Sequence, residues 1–295
     1  MFRESFELTR IEYFEMFIKS LKDVKMAALV KCFNLAFSDY FVKMPTTIDF
    51  WEERWKAARV DYSLSFGMFD EKEIVGFIIN GIDFKENTLT AFNTGTGVLP
   101  KYRGRKIVKK LYNFANPEFL KKGVKKCSLE VITENEKALK AYLSIGFKIT
   151  NILKCYSGTL KVTPSKDLTL VSVEFDKINW ENLPNQEFYS WDNHRNALSI
   201  LEKDYKCFEV FEQAKRIGYF IVNPQTGSLA QFDLLDEKKM SNWPKLFAGI
   251  KIIVPEIKIN NVDERQIEKI NVIGKVGLNH VIDQYEMEFI IKTEN

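Results

Sequence analysis

The sequence predicts an α/β (α+β) chain in which one succession of helices and strands occurs twice. Three observations predict it. The chain has 295 residues, which suits two domains at roughly 150 residues each. Hydrophobic periodicity alternates between helix and strand in a similar order on either side of a polar, proline-containing stretch at 161–166. Each half also closes on a helix, a Gly–apolar step and a tyrosine-bearing strand: Ala141 to Phe147 then Tyr156, and Asn271 to Leu278 then Tyr285.

The elements follow in order. The first fourteen residues read as an extension, and a strand-like run starts at Met16, Phe17 and Ile18. Asp23 is placed to cap a helix over 24–37, with Leu29, Phe33, Leu35 and Phe37 as apolar positions. A linker over 39–45 leads to a second helix over 48–58, where Phe50, Trp51 and Trp55 make an aromatic face. Strands over 62–69, 74–82 and 88–98, separated by short polar turns, form an antiparallel meander. Ile107, Leu111 and Phe114 restore the helical period after Pro100, and Pro117 should kink or restart that helix. A strand over 126–131, a helix over 135–144 ending beside Gly146, and a strand over 147–160 complete the first half. The second half reads as a helix over 191–201, strands over 207–212, 217–223 and 228–235, a helix over 238–248, a strand over 250–257, a helix over 263–275 and a last strand to Ile291. The expected division is 1–160, with its extension 1–14, and 167–295.

Composition sets bounds. At 45% hydrophobic residues the chain can bury a core and is not disordered. The 43 basic and 40 acidic residues leave a net charge of +3, so no global field favours nucleic acid or membrane, and any basic site must be local. The four cysteines show no CxxC pair, and His194 and His280 are the only histidines, which argues against a zinc site or disulfide scaffold. The N-terminal stretch places acids where a secretion signal needs a basic head, and no apolar run reaches membrane-spanning length. A soluble cytoplasmic protein without metal is expected.

Chemistry concentrates in one segment. After Thr94, Gly95, Thr96 and Gly97 a strand ends at Val98, and Lys101, Arg103, Arg105, Lys106, Lys109 and Lys110 crowd the turn and the start of the next helix without one acid. A helix N-terminus leaves four amide N–H groups unpaired and carries partial positive charge, so this turn can hold a diphosphate. Two glycines within one strand mark a bulge or a close backbone approach. The bland alternative is a solvated basic helix face.

Val98-Leu99-Pro100-Lys101-Tyr102-Arg103-Gly104-Arg105 resembles the coenzyme signature of the GNAT N-acetyltransferase superfamily. Leu129-Glu130-Val131 through Asn135, Ala138 and Tyr142 to Gly146-Phe147 is similar to that family's second half. The resemblance covers most of residues 16–160. It implies a mixed, mostly antiparallel sheet flanked by helices, and the repeat in element order adds the expectation of tandem duplication. It also implies that acetyl-CoA is the cosubstrate, bound at Val98, Arg103, Gly104, Arg105, Lys106, Ile107, Val108 and Asn135. Two departures stand out: Lys106 occupies the position of the second glycine and Val108 that of a Gly or Ala. Lys106 deprives the loop of a φ-permissive residue but adds a cation.

An amine attacking a thioester needs a base, because a free lysine-type amine with a pKa near 10.4 is protonated at neutral pH, and a proton for the departing thiolate. Tyr142 stands two helical turns after Asn135, so both share a helix face. The resemblance makes Tyr142 the general acid, where the alternative is an ordinary packed aromatic. It makes Glu130 the general base acting through water, as in the branch that acetylates protein N-termini; the alternative is a structural pair with a lysine. The strand over 88–98 carries no carboxylate, and Asp83 and Glu86 are weaker candidates. A backbone N–H near Val98 would hold the oxyanion if the strand end is splayed. Aromatics at 188–191 and 38–41 line an acceptor cleft or pack the core.

The second half has no V-x-P or R-G signature, so it is expected to have lost coenzyme binding and to cover the acceptor site or form a dimer interface. The expected partner is a primary-amine acceptor, small molecule or peptide, for a monomer or homodimer. A non-catalytic acyl-CoA-binding or regulatory module is the alternative, motivated by Lys106 and Val108.

Overall fold

The computed structural model describes residues 16–40, 43–163, 167–236 and 238–292. The extension expected over 1–14 lies outside them, as do Phe41 of the linker and Pro164 to Lys166 of the expected boundary.

The first half runs β1 (Phe17–Ser20), α1 (Met26–Ala36), α2 (Ile48–Ala57), β2 (Phe66–Asp70), β3 (Glu73–Lys85), β4 (Thr88–Val98), α3 (Ile107–Lys121), β5 (Lys126–Ile132), α4 (Glu136–Ile145) and β6 (Lys148–Thr159). The second runs β7 (Leu168–Val173), α5 (Arg195–Ile200), β8 (Lys206–Glu212), β9 (Lys215–Asn223), β10 (Ser228–Leu234), α6 (Trp243–Ile253), β11 (Glu256–Asp263), α7 (Ile267–Lys275) and β12 (Asn279–Ile290). The order is the same, with α5 standing where the first half has α1 and α2.

All the strands join one 12-stranded sheet in the order β1-β2-β3-β4-β5-β12-β6-β11-β10-β9-β8-β7. The order is symmetric about its middle, and its two central strands are exchanged. β12, from the second half, pairs antiparallel with β5 of the first from Gln284↔Ile132 to Ile290↔Lys126. β6, from the first half, pairs antiparallel with β11 of the second. Within the sheet only β4–β5 and β10–β11 are parallel.

Side chains follow the exchange. Met287 and Ile291, at the C-terminal end of the chain, are buried among Leu111, Tyr112, Phe119 and Phe147 of the first half. Tyr156 and Leu160 are buried among Phe232, Leu246 and Phe247 of the second. On the opposite face of the first half, Phe33, Trp51 and Trp55 of α1 and α2 cover Phe77 and Ile79.

A strap preceding α5 ties the halves together. The Trp191 indole N–H donates to the Ala58 carbonyl at 2.9 Å, and its ring stacks on Phe92 at 5.0 Å between centroids. The Arg59 guanidinium lies 4.2 Å from the centre of the Trp191 ring and pairs with Asp83. Gly81 is required there, because a Cβ would fall 2.0 Å from the Ala58 oxygen.

Several elements differ from the sequence reading. Lys25, not Asp23, is the residue before α1, and no side chain caps it. Pro117 sits inside α3 without ending it. Asn113, whose carbonyl loses its partner, is exposed with Pro117, so water can satisfy it, while Leu111, Tyr112, Ala115 and Phe119 hold the other face to the sheet. The helix expected over 191–201 shortens to α5 because Trp191 is spent on the strap. The stretch Ile250 to Ile253 is helical, continuing the Trp243, Leu246, Phe247 and Ile250 face, so the strand expected over 250–257 begins later as β11. β7 is absent from the sequence reading; it is a half-exposed edge strand that turns Leu168 and Leu170 toward the core and leaves Thr169 and Val171 exposed. Among the described residues no helix is long and apolar enough to cross a membrane.

Candidate active site

The basic turn after β4 has a defined backbone. Pro100–Tyr102 forms one turn of 3-10 helix, Gly104 follows with φ 79°, and Lys106 immediately precedes α3 with φ 57°. Lys106 therefore adopts the left-handed conformation that a glycine would take most easily. By helix geometry the N–H groups of Ile107, Val108 and Lys109 have no acceptor within α3. Those of Gly104, Arg105 and Lys106 donate to no backbone carbonyl among the described residues. The first turn of α3 contains no acid, so its positive end is uncompensated. Val108 packs partly into the core, which accommodates its side chain.

Arg103 is committed elsewhere. Its guanidinium grips Asp39 through both nitrogens at 2.6 and 2.8 Å, and donates to the Ala36 carbonyl at 2.9 Å. That grip holds the Asp39 carboxyl down at about 2. Arg103 thus fastens the turn to the end of α1. Arg105 lies over the Tyr102 ring at 5.1 Å, and the Tyr102 hydroxyl donates to Asp70 at 2.6 Å.

The glycines of β4 make room for α1. A Cβ on Gly97 would fall 2.5 Å from Phe77 and 2.9 Å from Ala36, and one on Gly95 would meet Phe33 at 3.0 Å. The close backbone approach that glycines in a strand suggest is the packing of this helix.

α4 brings the other wall. Asn135 caps it, its side-chain oxygen accepting from the Ala138 N–H at 3.2 Å, and it also hydrogen-bonds Tyr40, four residues beyond α1. Gly146 closes the helix with φ 116°. Between these caps Tyr142 is buried, and burial pushes its hydroxyl up to about 12 against an opposing pull from the nearby Thr96. Thr96 in turn donates to Asn93 at 2.7 Å, and Asn93 to Asn80 at 3.1 Å. Sequence reasoning missed Thr96 and Asn93 as site residues, whereas Tyr40, expected to line a cleft or pack the core, lines the cavity described below. Thr96 lies in the segment singled out for its glycines, and its hydroxyl was the available signal.

A single cavity of about 930 Å³ joins these walls. Of the residues expected in the site, Val98, Arg103, Gly104, Lys106, Ile107, Val108, Asn135 and Tyr142 line it, whereas Arg105 and Glu130 do not. The volume and the mixture of free amides, lysines and apolar wall suit an elongated ligand bearing phosphates at one end.

Glu130 stands on another face of the same strands. β4 and β5 pair in parallel from Thr90↔Lys126 to Asn93↔Leu129 and no further, although both strands continue. The sheet is therefore splayed beyond Leu129, and Glu130 is the first residue of β5 past the last pair. It lies directly across from Glu286 of β12. Like charges in that position repel. Lys85 neutralises Glu286 at 2.7 Å, and Arg54 of α2 pairs with Asp192 of the strap. Burial, then Asp192 and Glu286, push the Glu130 carboxyl up to about 8 against the pull of Lys85 and Arg54. The aromatics at 188–191 do not open a cleft: Tyr189 and Trp191 are buried. His194 caps α5 and burial lowers its ring to about 4, while His280 bonds Asp283.

The comparisons agree with this construction. The family model described as Acetyltransferase (GNAT) family matches residues 29–147. A tandem GNAT protein from the clavulanic acid biosynthesis pathway is 13% identical and superposes with a TM-score of 0.65 over 95% of this chain and 100% of its own. A GCN5-related N-acetyltransferase from Sphaerobacter thermophilus gives 9% identity and a TM-score of 0.65, covering 95% of this chain and 97% of its own. A glucosamine N-acetyltransferase region of a fungal multi-domain β-N-acetylglucosaminidase gives 15% and 0.70, covering 95% and 38%. At these identities the likenesses speak to the fold. No curated protein matches by sequence. Residues 29–147 thus match the acetyltransferase (GNAT) family, and the chain over its whole length has the fold of tandem GNAT proteins, its second half repeating the order of elements of the first.

Proposed function

We propose that the protein is an N-acetyltransferase that moves an acetyl group from acetyl-CoA to a primary amine by direct attack in a ternary complex. The observation that carries this reading is the cavity joining the uncompensated N-terminus of α3 to the Tyr142 hydroxyl beside the splay of β4 and β5. The diphosphate would lie against the amides from Gly104 to Lys109, with Lys106 and Lys109 adding charge. Arg103 contributes its place in the turn, since its side chain is held by Asp39.

Tyr142 stays protonated throughout the neutral range and serves as proton donor to the departing thiolate. Glu130, as its carboxylate, accepts the amine proton through water, and a backbone N–H near Val98 receives the developing oxyanion. On this reading residues 1–160 form the coenzyme-binding unit and residues 167–295 cover the acceptor side. All four cysteines are unpaired and buried, which fits the reducing cytoplasm.

The test is a screen of primary amines, small molecules and peptide termini, followed by free-thiol release from acetyl-CoA. Calorimetry with acetyl-CoA should show binding; its absence at millimolar concentration would favour a non-catalytic module.

A further inference from the structure

The carboxyl of Glu130 is held by the other half of the chain. Its Oε2 accepts a hydrogen bond of 2.6 Å from the Nδ2 of Asn261 on β11. Asn261 is buried and sits with φ 61° in the bulge where β11 slips its register against β6, between Ile259 and Val262. Two donors converge on its other end: Gln284 Nε2 of β12 reaches the Asn261 Oδ1 at 2.6 Å, and Cys155 Sγ of β6 reaches it at 3.5 Å. Because both approach the oxygen, the amide has one orientation, and its N–H faces Glu130. The bulge is itself tied to the strap, since Asn193 donates to the Asn260 carbonyl at 2.9 Å. Among the described residues Glu130 has no ion-pair partner, whereas the acids around it, Glu286 and Asp192, are each matched.

We propose that Asn261 is a positioning residue for Glu130, so that the half without a coenzyme signature completes the catalytic centre. This rests on Glu130 being the general base. A carboxylate with a fixed donor on one oxygen presents the other in a constant direction, and the donor favours the charged form that a base needs. Gln284 acts one bond further out by fixing the amide. The charged and titratable groups facing Glu130 are Arg54 from α2, Lys85 from β3, Cys155 from β6, Glu286 from β12 and Asp192 from the strap. Of these only Cys155 touches Asn261, and burial raises its thiol, so it stays neutral and adds no charge when Asn261 is changed.

Titration of the full-length protein labelled with 13C at glutamate carboxyls reads the effect without an identified acceptor. The resonance absent from Glu130→Gln identifies Glu130. Asn261→Gly removes the amide and Asn261→Asp turns the donor into an acceptor, and both residues tolerate the left-handed backbone of the bulge. Asn261→Gly should raise the Glu130 titration by roughly one pKa unit, the equivalent of one lost charge-assisted hydrogen bond. Asn261→Asp should raise it further, since a second carboxyl then stands at hydrogen-bond distance. With the amine found in the screen, the acid limb of kcat/KM should move by the same amount. Folded variants whose Glu130 titration stays in place would overturn the proposal. If instead Glu130→Gln keeps full turnover, the base assignment fails while the Asn261 shift is still read by the titration.

Discussion

Lys106 holds a left-handed backbone that disfavours a residue with a Cβ by about 1–2 kcal/mol. Lys106→Val, adding β-branching, should lower stability by roughly that amount, and Lys106→Gly should not lower it; urea denaturation distinguishes the two. Tyr142→Phe keeps the ring that packs against Phe147 and removes only the hydroxyl. Turnover should fall by about 10²-fold or more, with acetyl-CoA affinity by calorimetry nearly unchanged. With Glu130 as the proposed base, its titration sets the pH dependence. Its carboxyl is raised to about 8, so the basic form accumulates only as pH climbs through that value, and kcat/KM should rise with it. Glu130→Gln should abolish that limb. Stability runs in the opposite direction: a carboxyl whose folded pKa lies above its unfolded one stabilises the fold at low pH, and that contribution is lost as pH rises through about 8. Urea midpoints at pH 6 and pH 9 should converge in the Glu130→Gln variant. At this scale the basic turn between β4 and α3 was legible because its signals are local in sequence. The setting of Glu130 was not, since Asp192, Asn261 and Glu286 reach it only through the tertiary fold.

Elements whose signals are local were read correctly. The meander β2–β3–β4 follows from alternation and polar turns, and α4 from an Asn cap and a terminal Gly. Pro117 and the run from Ile250 to Ile253 misled because intrinsic preference yielded to burial: both stretches belong to helices held by an apolar face. The strap was invisible for a similar reason. Trp191 reads as part of a helix until Ala58 and Phe92 are brought beside it. The close contact at Gly81 makes this docking testable. Gly81→Ala drives a Cβ into the Ala58 carbonyl and should lower stability by about 3 kcal/mol. Gly274→Ala is the contrasting case, an open position in α7 where alanine should add about 0.5–1 kcal/mol. Thermal melts of both variants check the pair.

For the molecule as a whole, duplication was legible from the order of elements, but the exchange of β6 and β12 was not. Nothing in a strand's own sequence says which of two similar sheets it will enter. The exchange makes the halves one folding unit, since β12 lies between β5 and β6 and buries Met287 in the first half's core. The full chain should therefore unfold in a single transition by calorimetry, and a chain ending at residue 277 should lose cooperative unfolding in both halves.

Strand exchange also sets a timetable during synthesis. When β5 leaves the ribosome its neighbour β12 lies about 150 residues downstream, a wait of roughly 8–30 s at elongation speeds of about 5–20 residues per second. Throughout that interval the nascent chain displays an apolar strand edge with its proper partner unmade. Cells producing this protein must shield that edge or tolerate its self-association, and slowing translation upstream of β12 would prolong the exposure.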